Sequence, residues 1–498
     1  MTTCKRFYLL IFLALASTQA FSQIRSDFTI ADSALKPSFD FDDKGNIHLV
    51  WGNDGLDDWG TWYCLLDSLG NIKLEPRRIS KSPATLDPKI VINKDKAACI
   101  WEDQYSINVF HYSYGIQGKI LKDGLDFGDE IQIDDGDLYH PPIDALRRRP
   151  QIVWHSDSVL YAVWEGQGHQ SFASIDDIYA EKLLMPLQKS GDNYPLNNNL
   201  LKSDEWYPSI IRSQIANTYQ VIWSSNDTTT GIKLVGRSLS EDFKPLTPEL
   251  VFVDLGKTKY TSHPSVFLRG NGNIIIAWEK DTANYKSNIF LQEFSVDGTP
   301  IGDANQINDK LANGGSEVSA DVDENDNVIV AWEEGKRIGG QRYGKNLNRI
   351  GMNFYLQTRL GGGNIFPHVR LRNHKIYTAW SEFLSSSSNV SMSIFDFDNP
   401  VSVHRDPVAE PTDFKLSQNW PNPFNPTTQL QYTLGESRLV SLKVYDIIGR
   451  EVSTLVNEVK PAGSYTVSYD ASLLSGGIYY CRIISGDFSS SIKMVLVK

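Results

Sequence analysis

One short pattern constrains this chain more than any other feature: a β-rich run ending in tryptophan recurs seven times. The copies read "IHLVWGND", "AACIWEDQ", "LYAVWEGQ", "YQVIWSSN", "IIIAWEKD", "VIVAWEEG" and "IYTAWSEF". Successive tryptophans are 50, 63, 59, 55, 54 and 48 residues apart. A strand-containing repeat of about this length is typical of a propeller or a related array. The tryptophans are Trp51, Trp101, Trp164, Trp223, Trp278, Trp332 and Trp380.

Each copy also begins in the same way. A proline, replaced once by Val318, precedes the tryptophan by 13 to 15 residues, and turn residues such as "GNG" at 270–272 divide the interval into two runs. A second hairpin follows most copies, for example with a turn at Asp297-Gly298. We therefore predict four strands per repeat and an all-β, seven-bladed β-propeller over residues 24–405. The prolines are Pro37, Pro88, Pro150, Pro208, Pro264 and Pro367.

The regular spacing of the tryptophans favours a structural role for them. We expect each one to fill the space between adjacent blades rather than to contact a ligand. The segment "FTI" at residues 28–30 precedes the first proline much as "RIS" precedes Pro88. We expect it to add an outer strand to the last blade and so to close the ring.

Charge and the first residues limit the class of protein. The net charge of -12 argues against a nucleic-acid partner, which would require a basic face. Lys5 and Arg6, the apolar residues 7–16 and the small residues after them predict a secretory signal peptide over residues 1–22. Its apolar run is too short to span a bilayer, which takes about 20 residues. No other segment is long and apolar enough to be transmembrane.

Few cysteines remain after the predicted cleavage. Cys64, Cys99 and Cys481 are too few for a disulfide scaffold, and their spacing suits no metal site. We expect them to be buried apolar residues. A bridge between Cys64 and Cys99 stays open, because the two lie in neighbouring repeats.

The repeat region resembles the broad superfamily of sialidase-like secreted bacterial propellers. The sialidase repeat Ser-x-Asp-x-Gly-x-x-Trp is present here only in fragments, such as Ser295-Val296-Asp297-Gly298, which lacks the tryptophan. Sialidases have six blades, and their three substrate-binding arginines have no counterpart by motif. The resemblance therefore implies a fold and leaves the catalytic residues unassigned.

The composition shifts after His404. Residues 406–415 carry prolines and charges without a strand pattern, which indicates a linker. The remaining residues, 416–498, alternate apolar and polar positions in short runs separated by turns such as the one at Gly449. We predict a small Ig-like β-sandwich.

This module closely resembles the type A C-terminal sorting domain of the type IX secretion system of Gram-negative bacteria. The resemblance rests on "LSQNWPNPFNPTT", "VSLKVYDIIGREVSTLV", "PAGSYTVSYDAS", "GGIYYCRI" and "KMVLVK", in the family's order. It implies export through the periplasm, recognition by the outer-membrane machinery, and release or attachment at the cell surface. A sandwich with no sorting role is the alternative, because a shared fold does not fix function.

The hairpins predict where a ligand site would lie. In each repeat, the residue before the proline and the residue after the tryptophan share one end, near the central channel. Variable polar residues on a regular frame are typical of a binding face. The candidate ligand-binding residues are Arg149, Tyr207, His263, Glu102, Glu165, Glu279 and Glu333. Lys36, Asp87, Glu317 and Phe366 hold the position before the proline, or before Val318, in the other repeats.

The alternative is that these residues are solvated loop ends and strand caps. In either case we expect Glu279, directly after Trp278, to be exposed at the channel mouth. Carboxylates around a channel could also hold Ca²⁺ or act as an acid–base pair on a glycoside. No metal motif, nucleophile elbow or phosphate loop is found, and "LGGGN" at 360–364 lacks the strand-then-helix context of a nucleotide site. We interpret the arginines at 147–149, as a charge cluster, as a solvated rim, and keep Arg149 among the candidates for its position before Pro150.

Together these features predict a secreted or outer-surface propeller that binds a polysaccharide or a surface protein. The competing hypothesis is a glycoside hydrolase or lyase acting at the channel face. No cofactor is predicted apart from the Ca²⁺ option. The expected partner of the C-terminal domain is the type IX secretion machinery.

Overall fold

A computed structural model divides the chain into two compact units, Met1–Ser402 and Val403–Lys498. The described residues form strands and turns, with no helix among them. They are residues 24–53, 60–82, 85–108, 111–126, 128–135, 147–167, 176–198, 203–213, 217–227, 229–258, 263–281, 286–309, 312–313, 317–357, 363–384, 387–398, 415–419, 421–434, 438–460, 463–486 and 488–497. The predicted signal peptide and nearly all of the predicted linker lie outside them.

The strands of the first unit are numbered in chain order. They are β1 (Arg25–Asp32), β2 (Ala34–Phe41), β3 (Ile47–Asn53), β4 (Gly60–Leu66), β5 (Ile72–Arg78), β6 (Thr85–Asn93), β7 (Lys96–Asn108), β8 (His111–Lys122), β9 (Leu125–Asp126), β10 (Ile131–Gln132), β11 (Arg147–Ser156), β12 (Val159–Gln167), β13 (Asp176–Leu184), β14 (Gln188–Lys189), β15 (Tyr194–Pro195), β16 (Asp204–Ser213), β17 (Thr218–Asp227), β18 (Gly231–Leu239), β19 (Leu250–Gly256), β20 (Ser265–Leu268), β21 (Ile274–Asp281), β22 (Lys286–Phe294), β23 (Pro300–Gln306), β24 (Ala312–Asn313), β25 (Ser319–Val322), β26 (Val328–Glu334), β27 (Arg337–Tyr343), β28 (Arg349–Tyr355), β29 (Gly363–Arg372), β30 (Lys375–Phe383) and β31 (Ser388–Asp396).

The described strands of this unit form seven sheets, which we number along the chain. Sheets 1 to 7 begin with β2, β6, β11, β16, β20, β25 and β29, and each continues through the strands that follow it in sequence. The first strand of each sheet lies beside the first strand of the next, and β29 lies beside β2. The sheets therefore close a ring around these inner strands. The predicted all-β propeller class is confirmed, and seven blades remain our interpretation of the seven described sheets.

The ring closes through the N-terminal strand. Strand β1 pairs antiparallel with β31, with Thr29 opposite Ser391 and Ala31 opposite Val390. Sheet 7 therefore takes its outer strand from the start of the described chain, which confirms the expected role of residues 28–30. This pairing covers an edge that would otherwise present unpaired backbone groups.

The repeated tryptophans lie between sheets. All seven are at most 3% exposed. Trp51 belongs to a cluster with Met392 of sheet 7, and Trp278 to a cluster with Ile222 and Leu234 of sheet 4. The other five pack in the same way against the sheet that precedes their own. The structural role predicted for the repeat is confirmed.

The second unit is a sandwich around one core. Its strands are β32 (Lys415–Leu416), β33 (Thr427–Leu434), β34 (Arg438–Tyr445), β35 (Glu451–Lys460), β36 (Gly463–Asp470), β37 (Gly477–Ser485) and β38 (Phe488–Leu496). One sheet has the order β32-β33-β36 and the other β35-β34-β37-β38. Both sheets contribute residues to a single hydrophobic cluster, which includes Leu430, Leu442 and Met494. The predicted β-sandwich is confirmed.

The three described cysteines are free and buried: Cys64, Cys99 and Cys481. Burial raises the pKa of each thiol. The interpretation of these cysteines as small apolar residues therefore fits, and Cys64 and Cys99 are not bridged here. In the described part of the chain, no helix has the length and apolar character needed to cross a membrane.

Candidate functional site

A cavity of about 890 Å³ lies along the inner strands of all seven sheets. At one end it is lined by the residue that precedes each proline, or Val318, of the repeat. We call this set the mouth ring: Lys36, Asp87, Arg149, Tyr207, His263, Glu317 and Phe366. The hairpin argument thus correctly predicted that one position from every repeat converges on one place.

An unusual backbone conformation accompanies the mouth ring. Five of its members have positive φ between 46° and 56°, namely Lys36, Asp87, Arg149, Tyr207 and Phe366. In each of these sheets the pairing of the first two strands shifts register at that point. A left-handed conformation costs a non-glycine residue of order 1 kcal/mol or more, so neighbouring structure must hold it.

Side chains from the preceding sheet supply that support. The backbone N–H of Arg149 donates to Oε1 of Glu102 at 2.7 Å, and that of Tyr207 donates to Oε2 of Glu165 at 3.1 Å. Two further bonds of the same kind run from Phe366 N–H to Glu333 and from Lys36 N–H to Ser381 Oγ, at 3.1 and 2.9 Å. Each acceptor is the residue directly after a repeat tryptophan. We call these four bonds the clamps.

Neighbours in the mouth ring also contact one another. The Arg149 guanidinium lies over the Tyr207 ring, 3.8 Å from its centroid. The Tyr207 and His263 rings meet edge to face with centroids 3.5 Å apart, and Lys36 Nζ lies 5.2 Å from the centroid of the Phe366 ring. The ring is therefore a continuous side-chain surface over much of the mouth.

One arc of the mouth carries paired charges. Asp87 Oδ1 lies 2.9 Å from Lys89 Nζ, and its Oδ2 lies 3.7 Å from Lys36 Nζ. Burial alone would raise the pKa of the Asp87 carboxyl, but Lys36 and Lys89 hold it below its ordinary value, and Asp87 in turn raises the pKa of Lys36. Arg149 pairs with Glu165, which raises the pKa of the guanidinium against the effect of burial.

The glutamates beneath the ring are largely shielded from water. Burial raises the pKa of Glu333 to about 8, and burial together with Asp87 raises the pKa of Glu102 to about 7. Glu279 lies 3.2 Å from His263 Nδ1, and burial raises the pKa of its carboxyl as well. At neutral pH the clamp carboxyl of Glu333 is mostly protonated and neutral.

Deeper in the cavity, polar side chains accept hydrogen bonds from backbone N–H groups of the neighbouring inner strand. These N–H groups lie on the channel edge of each sheet, where no further strand of the described residues pairs with them. The N–H of Phe39 donates to His368 Nδ1 at 3.2 Å, and the N–H of Ile92 donates to Asp40 Oδ2 at 2.9 Å. Ser265, Ser319 and Asp321 accept equivalent bonds from the next sheet. These polar residues satisfy backbone donors that would otherwise be buried without a partner.

The structure separates the predicted site residues into two groups. Arg149, Tyr207 and His263 line the cavity. The four predicted glutamates do not line it and are at most 8% exposed; they are Glu102, Glu165, Glu279 and Glu333. The expectation that Glu279 is exposed was therefore wrong, because its side chain turns beneath the ring toward His263.

Sequence reasoning left Lys36, Asp87, Glu317 and Phe366 out of the candidate set, although all four line the mouth. The repeat pattern could have predicted them, because each occupies the same position in its repeat as Arg149 does. The solvated-rim interpretation of residues 147–149 was also wrong for Arg147. It is 5% exposed and its Nε lies 2.9 Å from Asp134 Oδ2.

Metal binding finds no support in the described residues, where no group of three or more His, Cys, Asp and Glu side chains is placed to hold an ion. The "LGGGN" segment lies mostly outside those residues.

Comparison with known proteins identifies the second unit. Residues 418–498 match the family model described as "Secretion system C-terminal sorting domain". The chain therefore carries a type IX sorting domain, and this domain implies export to the cell surface or secretion. No curated protein matches the chain.

Several solved structures are similar to this chain. A Dyadobacter fermentans protein of unknown function is 12% identical with a TM-score of 0.45, covering 75% of this chain and 98% of its own. A Penicillium chrysogenum α-L-arabinanase complexed with arabinobiose is 14% identical with a TM-score of 0.43, covering 76% and 99%. A Trypanosoma rangeli sialidase is 9% identical with a TM-score of 0.41, covering 86% of both chains. At these sequence identities and TM-scores, the structural similarity supports no inference about activity.

Proposed function

We propose that the first unit is a carbohydrate-binding propeller, carried to the cell surface or the medium, whose ligand enters at the mouth ring. The observation that carries the proposal is the convergence of seven different side chains on one cavity from a single repeat position. The frame beneath them is regular, with buried tryptophans and recurring clamps. The variation is therefore concentrated where a ligand would lie.

The chemistry of the mouth favours a sugar over a protein ligand. Tyr207, His263 and Phe366 offer rings against which a sugar face can stack, and Lys36 and Glu317 offer charged hydrogen-bonding groups. A cavity of this size suits a small or chain-like ligand. A stable protein partner would require a contact surface of about 800 Å² on each side, which a concave mouth provides less readily.

A glycoside hydrolase or lyase is the second candidate, and the Glu333 carboxyl is the observation in its favour. Its pKa of about 8 would leave it protonated at neutral pH, as a general acid must be. Against this role, Glu333 accepts the Phe366 N–H and is 8% exposed. We therefore give it a structural role and place binding first.

A panel of soluble glycans, incubated with the purified full chain, tests both candidates. Bound ligand is measured by microarray and by calorimetry, and released oligosaccharide is measured by mass spectrometry of the supernatant. We expect binding without product. Product release that Glu333→Gln abolishes would favour the enzyme, and the absence of any bound glycan would overturn the proposed function.

A further inference from the structure

We propose that the mouth ring selects glycans with a free amino group over acidic glycans, and that Glu317 binds the protonated amine. This inference rests on the proposed function, because it names the class of carbohydrate that the same mouth takes. Two kinds of charged side chain at the mouth favour an amine: cations that already contact a carboxylate of the protein, and Glu317, which has no ion-pair partner among the described residues.

The described cations at the mouth are engaged. Lys36 and Lys89 share Asp87, and Arg149 pairs with Glu165 while its guanidinium lies over the Tyr207 ring. A ligand carboxylate would compete with the protein carboxylate that each of these cations already contacts. Leaving such a partner uncompensated is costly, since a buried charge without its counter-ion is strongly destabilising.

Glu317 differs from every other charged member of the mouth ring. It lines the cavity and is half-buried, yet its carboxylate has no hydrogen-bond or ion-pair partner among the described residues. A half-buried carboxylate facing a cavity has lost part of its hydration without a replacement. A ligand ammonium group would supply that replacement through a charge-assisted hydrogen bond.

The neighbours of Glu317 favour a cation as well. His263 precedes it and Phe366 follows it around the ring. The Phe366 and Tyr207 rings already lie beneath cations of the protein itself, Lys36 and Arg149. These contacts show that the mouth presents aromatic faces in a geometry that accepts positive charge.

An acidic glycan would meet an unfavourable electrostatic environment near Glu317. Its carboxylate would approach the unpaired carboxylate of Glu317. The negative charge of Glu317 already helps to raise the pKa values of two nearby carboxyls, Glu279 and Glu333, so it acts on other acidic groups around the mouth. A further negative charge is therefore disfavoured here.

The test compares three monosaccharides that differ mainly in charge: D-glucosamine, D-glucose and D-glucuronate. Binding to the purified full chain is measured by saturation-transfer NMR, and the affinities of amino, neutral and acidic oligosaccharides of matched length are measured by calorimetry. We expect the order amino, neutral, acidic. Glu317→Gln should weaken binding of the amino ligand roughly tenfold to a hundredfold and leave the neutral ligand within about twofold.

The outcomes separate this inference from the function on which it rests. Preferred binding of the acidic ligands, or an amino preference that survives Glu317→Gln, would overturn the inference and leave carbohydrate binding intact. Failure of all ligands would overturn both. Asp157→Asn, at the opposite end of the cavity, is the matched control for a lost carboxylate and should leave the preference unchanged.

Discussion

Glu165 holds Tyr207 and Arg149 at once. Its Oε2 accepts the Tyr207 N–H at 3.1 Å, while its Oε1 lies 2.5 Å from the Arg149 guanidinium. One buried carboxylate on sheet 3 therefore fixes the left-handed backbone of the next sheet and orients a cation of the mouth. The frame of the propeller and the candidate binding surface are joined at this residue.

Removing the Glu165 carboxylate should destabilise the propeller. Glu165→Ala leaves the Tyr207 N–H and the Arg149 charge without their partner, and we expect a loss of about 3–5 kcal/mol in the free energy of unfolding. Glu165→Gln keeps an acceptor and should cost less. Urea denaturation measures both, with Glu324→Ala at an exposed turn as the control, expected within about 0.5 kcal/mol. Equal effects at the two sites would contradict the clamp.

Stability should depend on pH through Glu333. Its pKa is about 8 in the folded chain against an ordinary value of 4.5, so the folded state holds a proton that the unfolded state releases. Its contribution therefore falls as pH rises from about 4.5 to about 8, by up to about 5 kcal/mol at 1.36 kcal/mol per pKa unit.

Glu333→Gln should remove this slope, because the amide oxygen still accepts the Phe366 N–H and carries no titrating proton. Melting temperatures of the wild type and the variant between pH 5 and 8.5 provide the measurement. We expect the two curves to diverge as pH rises, with the variant the more stable above pH 7. Parallel curves would show that Glu333 titrates normally.

Trp278 should contribute strongly to packing between sheets 4 and 5. Trp278→Ala removes a side chain that is 3% exposed and should cost about 3–5 kcal/mol. Val296→Ala, in the outer turn of the same sheet and 48% exposed, is the control and should change little. Similar melting shifts for the two variants would mean that the tryptophan is not a packing element.

Export should depend on the C-terminal domain. Deleting residues 416–498 removes the sorting domain and leaves the predicted signal peptide, so we expect the truncated protein to accumulate in the periplasm. Immunoblots of periplasm, outer membrane and medium from the native host measure this. Normal levels of the truncated protein in the medium would contradict the sorting role.

The sequence was enough to predict the hairpins, the tryptophan packing and the convergence on one mouth, because these follow from period and turn chemistry. It did not predict the burial of Glu102 or Glu279. The burial of Glu102 accompanies its bond to the left-handed backbone of Arg149, and residues such as Lys36 and Tyr207 give no signal for positive φ. Glu279 is buried beside His263, a contact that the repeat pattern does not encode. Three of the clamps join residues of consecutive sheets that are 33 to 47 positions apart, namely sheets 2 and 3, 3 and 4, and 6 and 7, which spacing within one repeat cannot show.

The most direct test of the account is the affinity of the best-binding glycan for two variants at opposite ends of the cavity. Tyr207→Ala removes a ring of the mouth, and Asp157→Ala changes the turn between β11 and β12 at the other end. Calorimetry on variants whose folding is verified by circular dichroism should show a loss of at least about tenfold for Tyr207→Ala and none for Asp157→Ala. Binding that survives Tyr207→Ala and is lost in Asp157→Ala would contradict the assignment of the mouth ring as the ligand site.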